Sequence, residues 1–431
     1  MMKKNRFVSK ILTSVKKSKE KLSDLHLFRS LVQHNREKFG DDSEKNSEYA
    51  AVSVCAGVIR TISAVLLVVF SVAILIFGRN TVSIDKVYYL FRDIYSMNSV
   101  GENDAELLNY SLPSSNQDFA LYKKGLCSAG DGEIKLFTAT GRVTVTLGSE
   151  MSNPRALASD SFVLIYDAGG NDFSLYNSFK KLYGESMNGK ISVAAMSDKG
   201  RFAVVSSADN YRSQINLYNN NFSRIATYNK NDYVIDAKFD GSGRYLAVLS
   251  LNSSDGDFLS SITVYDTNKN KVYSSVSVHG VLSFEFDFDS SDRLFVTCSD
   301  RVLIFDKKCK QRGEYKFPDG TLKGVASGEG GVALIFENDP IYGKNTVYVV
   351  NNNGELDTSF EFIGDVLDIK YSDRYVYLLD SDSIQRVDVK NKSRFRSECF
   401  SEEAIILVCD RDKVMVCTPS FARIITQWER Q

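Results

Sequence analysis

The sequence predicts an all-β chain folded as a β-propeller, with eight blades as the first solution and seven as the alternative, behind one N-terminal transmembrane α-helix. Three observations carry this. A strand-and-turn pattern returns about every 41 residues in the region 106–431, the period of a propeller blade. Thr61–Gly78 runs for 18 residues without a charge. Composition suits short strands, with 27 Phe and 22 Tyr against 5 Pro.

Residues 1–49 form a basic tail with 12 basic and 7 acidic side chains. Within it Phe7, Ile11, Val15, Leu22, Leu25, Phe28 and Val32 recur at helical spacings, with Lys10, Lys16, Lys17, Lys19 and Lys21 between them. Such a tail sets topology, lies on an anionic leaflet, or docks a cytoplasmic partner. Residues 39–49 are a short polar linker.

Residues 50–78 read as an uncleaved signal anchor. The uncharged run would make about 27 Å of helix, close to the roughly 30 Å of bilayer hydrocarbon. Arg60 sits at the helix entrance, where its stem can snorkel. A buried core helix would show a polar face, and this run has none. A cleaved signal peptide would start with a much shorter basic segment. The basic tail places the N-terminus in the cytoplasm. Residues 79–431, with 40 basic and 47 acidic side chains, then lie outside. Residues 79–105 form a juxtamembrane linker, with a short amphipathic helix expected around Ile84–Ile94. Its Tyr88, Tyr89, Phe91 and Tyr95 suit either the interface or the propeller's underside.

The repeat of 106–431 is clearest in its third strands. They begin at Ile134, Phe173, Ile215, Ile262, Val302, Val347, Ile384 and, more weakly, Arg423. Before several of them stands a tight turn and an apolar strand, as at Ser197, Asp240, Asp289 and Tyr371. Gly and Asp there supply hairpin backbone angles. A fourth strand follows with a more charged alternation, as in Lys271–Val278. Sheets stacked round an axis bury both faces of their inner strands, which accounts for continuous runs such as YLAVLSL. The last unit, from Glu403, has only three strands. The N-terminal LLNYSL (Leu107–Leu112) is expected to complete it and close the ring, removing exposed edges. Asp118–Gly148 is the least regular unit, hence the seven-blade alternative.

The stretch AGDGEIKLFTATGR (129–142) resembles the repeat of quinoprotein-like propellers, without their docking Trp. GSGRYLAVLS resembles WD40- and TolB-like blades, but no Trp-Asp dipeptide ends a strand. The whole layout resembles an uncharacterised bacterial family of single-span proteins with a WD40-like propeller ectodomain. That resemblance implies a cell-surface propeller of unknown role and transfers no catalytic residue.

Near-neutral net charge, −1 overall, argues against a nucleic-acid binder. No catalytic, cofactor-binding or metal residue is assigned. A quinone site would need a Trp-lined pocket, and Trp428 stands alone. His279 is placed at a turn after a fourth strand. The acidic groups Asp255–Asp257, Asp287–Asp292 and Asp380–Asp382 lack calcium-loop spacing and are read as turns. Gly328–Gly331 is read as a hairpin turn, since no helix follows to cradle a phosphate. Cys127, Cys298, Cys309, Cys399, Cys409 and Cys417 are read as buried single thiols, with bridges left open. The expected function is non-catalytic: a membrane-anchored, extracellular module that binds or scaffolds a protein, peptide or glycan, within a membrane-protein complex in one variant. The alternatives are a sensor signalling through the tail, and a surface hydrolase or lyase with a carboxylate-lined channel.

Overall fold

Short apolar runs broken by Asx and Gly turns pair most readily with their sequence neighbours, and the chain is built almost entirely from such pairings. A computed structural model describes residues 59–69, 108–109 and 116–430, apart from 124, 139–140, 255, 290, 329, 399–404, 411–412 and 426. The expected tail 1–49, the remainder of the expected span (50–58 and 70–78) and the expected helix at Ile84–Ile94 lie outside the described residues.

Residues 59–69 are helical. Val65 to Val69 are consecutive, apolar and exposed, so at about 100° per residue they cover every side of the helix. Among the described residues no helix is long and apolar enough to cross a membrane.

From Leu108 onward the chain is an eight-bladed β-propeller. Seven sheets have four strands and one has five, all antiparallel meanders. Blade 1 shows the plan: Asp118–Tyr122 innermost, then Gly125–Ala129, Glu133–Phe137 and Val143–Gly148 outermost. All eight expected third strands occupy the third position, including Phe421–Ile425 in blade 8. The ring closes as expected: Leu108–Asn109 pairs with Phe421–Ile425 and supplies the outer strand of blade 8. A second closure was not anticipated. Glu429–Arg430 adds a fifth strand to the outer edge of blade 7.

The core is divided among the seams. Among the described residues eight apolar clusters occur, and each joins two neighbouring blades. Phe295, Val302 and Ile304 of blade 5, for example, meet Val332, Leu334 and Phe336 of blade 6. Each fully buried side chain of this kind contributes roughly 1.5–3 kcal/mol.

Carboxylates stitch the inner strands across seams. Asp118 accepts the Ala156 amide at 2.9 Å. Asp368 accepts that of Ile406 at 2.7 Å. Asp236 likewise accepts the Phe286 amide. Hydroxyls do the same further out, where Ser213 receives the Val234 amide at 2.9 Å and Ser260 that of Ser283 at 3.0 Å.

Candidate functional site

The up-and-down strand order gives the ring two faces. Turns between second and third strands, and connections between blades, form the upper face. Turns between first and second, and between third and fourth, form the lower face.

The faces differ in charge. Among described residues lying between strands, the upper turns carry nine acidic side chains and one basic, Lys190. The nine are Asp131 and Glu150 around blade 1, Asp209 and Asp232 around blade 3, Asp300 and Asp319 around blade 5, Asp365 after blade 6, and Asp380 and Asp382 in blade 7. The lower turns reverse this, with fourteen basic against eight acidic.

The lower carboxylates are largely consumed by the fold. Buried Asp240 accepts the Tyr245 amide at 2.7 Å. Buried Asp289 takes the amides of Ser291 and Arg293 and pairs with the Arg293 guanidinium at 2.8 Å. Asp266, at the end of a third strand, is buried and pairs with Arg244 at 2.9 Å. That guanidinium holds its carboxyl below the usual range. Such Asx turns leave one residue left-handed, and Phe222, Asp292, Cys309 and Lys392 fill that position.

The faces also differ in apolar exposure. Among the described residues thirteen large apolar side chains are exposed on the propeller, and nine of them stand at its upper end. Blades 4, 5 and 6 shape that end. The second strand of blade 4, Tyr245–Ser254, has 10 residues, that of blade 6, Gly331–Asp339, has 9, and that of blade 5, Leu294–Cys298, has 5. Counted from the lower turns, the two longer hairpins rise about 13–17 Å above blade 5. The result is a saddle. Phe258 flanks it from blade 4, and Ile341 and Tyr342 cap the blade 6 hairpin, at 86% and 69% exposure. On the floor, toward the channel, Ile235 and Phe284 are exposed.

Bulges place these floor residues. The inner strands of blades 3 to 6 each slip register, at Ile191/Val193, Val234/Asp236, Ser283/Glu285 and Leu322/Gly324. The extra residues are Ser192, Ile235, Phe284 and Lys323, all exposed. A bulge re-aims its side chain.

Below the saddle the channel is charged. Burial raises Asp236, against the pull of Lys238. Burial raises Glu285 as well, again opposed by Lys238. Burial alone would lower Lys238, but Asp287, Asp236 and Glu285 outweigh it and hold the ammonium above its usual range. These side chains keep some accessible surface, as befits a narrow channel.

A polar cleft of about 850 Å³ lies between blades 2 and 3. Glu185 anchors its wall, accepting the Tyr183 hydroxyl at 2.6 Å and that of Tyr218 at 3.0 Å, and pairing with Arg224 at 2.9 Å. Burial and this carboxylate push Tyr183 up to about 12. Glu185 is thus fully engaged by the wall itself.

The residues singled out in the sequence are dispersed. His279 is exposed at the end of the outer strand of blade 4. Asp257 is the exposed first residue of the third strand of the same blade, and Asp255 lies outside the described residues. Asp287 faces the channel network, while Asp289 and Asp292 belong to a lower turn. Asp380 is buried and accepts the Ser383 amide at 2.6 Å. Gly328 and Gly331 are paired at a hairpin end. Cys127, Cys298 and Cys309 are buried free thiols, and Cys417 is buried as well. Trp428 packs in the seam of blades 7 and 8, where the Arg386 guanidinium stacks on it at 4.8 Å. Among the described residues no group of three or more His, Cys, Asp or Glu could hold a metal. The saddle was not foreseen. Its signal was the unequal strand lengths.

Comparison with known proteins adds the fold. The Dos1 propeller superposes with a TM-score of 0.56 at 9% identity, over 76% of this chain and 95% of that one. The Sqt1 structure from Chaetomium thermophilum, bound to the N-terminus of ribosomal protein L10, gives 0.53 at 12% identity, over 72% and 96%. The dihydro-heme d1 dehydrogenase NirN gives 0.51 at 14% identity, over 67% and 66%. No curated protein matches in sequence. The profile described as Family of unknown function (DUF5711) matches residues 102–426.

Proposed function

The chain belongs to the DUF5711 family of unknown function, and from that premise we propose that it is a membrane-anchored, extracellular binding module that takes a protein or peptide partner on the upper face of its propeller. One observation carries the binding reading. Exposed apolar side chains and turn carboxylates are concentrated on the same face, the apolar ones mostly on blades 4 to 6 around the saddle and the carboxylates spread around the ring. Contiguous apolar exposure rimmed by charge marks interaction surfaces. The acidic rim selects a partner segment with basic residues beside its apolar ones.

The uncharged run Thr61–Gly78 and the apolar girth of helix 59–69 support the anchor. The basic tail supports a cytoplasmic N-terminus. The test is crosslinking of tagged protein on intact cells, with the anchor alone (1–105) as control. Partners are expected with the full chain and lost on Phe258→Ser with Tyr342→Ser. Partners retained by that double variant would overturn the upper-face reading.

A further inference from the structure

We infer that the lower face of the propeller seats on an anionic lipid leaflet. The inference rests on the anchor reading above and requires anionic lipid in the leaflet that faces the propeller, and three features of the propeller point to it.

The first is which charges are presented. Four lower-end carboxylates, Asp240, Asp266, Asp289 and Asp388, are buried and bound by turn amides or arginines. The lysines of the same turns project outward. Lys269, Lys271, Lys308, Lys310, Lys390 and Lys392 are all exposed. The surface an approaching body meets is therefore more basic than the composition of these turns implies.

The second is what is missing from this face. Its exposed lysines are spread round the ring, through blades 4, 5 and 7, with Lys181 and Lys199 in blades 2 and 3. The nine exposed apolar side chains of the upper end have few counterparts here: Val143, Val272, Tyr273 and Leu356. A protein partner is normally gripped by a central apolar or aromatic anchor. A diffuse ring of point charges without one matches an extended anionic surface instead.

The third is chain direction. Leu108–Asn109 runs antiparallel to the third strand of blade 8, with Asn109 opposite Phe421 at that strand's upper end. The strand thus runs upward, and its incoming end points to the lower face.

The test uses the full chain in vesicles of zwitterionic lipid, and in vesicles with about a third anionic lipid, whose surface potential attracts Lys and Arg. Flotation reads the anchor. Acetylation of lysines, followed by mass spectrometry, reads the seat. We expect flotation with both vesicles. On anionic vesicles Lys271, Lys308, Lys310 and Lys392 should react several-fold more slowly than on zwitterionic ones. Lys190, Lys316 and Lys344, on the upper face, should not change. Protection should vanish in about 1 M salt, where the Debye length is about 3 Å. In Lys271→Glu/Lys308→Glu/Lys310→Glu/Lys392→Glu, whose changes are all at exposed positions, the remaining lower-face lysines Lys269 and Lys390 should lose their protection. Flotation with equal footprints on the two vesicles overturns the seat and leaves the anchor. Flotation with anionic vesicles alone supports the seat and overturns the anchor. Flotation with neither overturns both.

Discussion

The upper and lower faces are made by the same strands and by turns of similar length, yet they present different side chains to solvent. On the lower face the carboxylates turn inward. Asp240, Asp289 and Asp388 close hairpins by accepting amides, and arginines pair with Asp289 and Asp388. On the upper face around blades 4 to 6, hairpins overrun the ring and carry Phe258, Ile341 and Tyr342 into solvent. One face is spent on stability. The other departs from what stability alone would select, and a surface that forgoes burial of large apolar side chains is where recognition is to be sought.

Four variants test this division. The largest effect is expected between the faces, in the channel. Lys238→Met removes the cation that three carboxylates share, and should destabilise the fold by about 3 kcal/mol at neutral pH. Asp236 and Glu285 already bind their protons more tightly than ordinary carboxyls. Without Lys238 their folded pKa values rise further above the unfolded ones. Stability is then lost as pH rises through that window and regained below about pH 4, where both states are protonated. Urea midpoints across pH read this. A flat profile would remove the channel network from the account.

Next is the lower face. Asp240→Ala leaves the Tyr245 amide buried without its acceptor, at a cost of about 2 kcal/mol. Partner capture by folded protein should be unchanged. Trp428→Ala should cost about 1–2 kcal/mol through lost packing in the last seam and the lost stacking on Arg386. Hydrogen exchange should quicken in blades 7 and 8 first. The smallest stability effect belongs to the upper face. Ile341→Ser with Tyr342→Ser should change stability by no more than about 0.5 kcal/mol, while reducing partner capture at least tenfold. If thermal melts rank these last two classes the other way round, the two faces do not differ as argued.

Much of the architecture was legible in the sequence. The third strands repeat because each is buried on both faces, so the apolar runs at Ile215 and Ile262 stand out from any neighbour. Ring closure was legible because an incomplete last unit demands a strand. The turns were legible through Asx and Gly. The bulges in blades 3 to 6 were not. Ile235 and Phe284 read as ordinary members of an alternating strand, and only pairing shows them to be extra. The clamp of Glu429–Arg430 on blade 7 was equally hidden, since two residues carry no pattern.

The polarity of the two faces was hidden for a different reason. Successive turns along the chain belong to alternate faces, so their charges cancel in the overall net charge of −1. Sorting turns by parity within the four-strand repeat would have exposed it. The saddle needed a comparison of hairpin lengths between blades 4, 5 and 6, which the period alone does not prompt.

The division of labour is tested most directly by a photoreactive side chain placed in the full chain on intact cells, at Tyr342 in one version and at Lys308 in another. The account predicts protein crosslinks from position 342 and lipid crosslinks, without protein, from position 308. Protein crosslinks from position 308 with none from position 342 would contradict it.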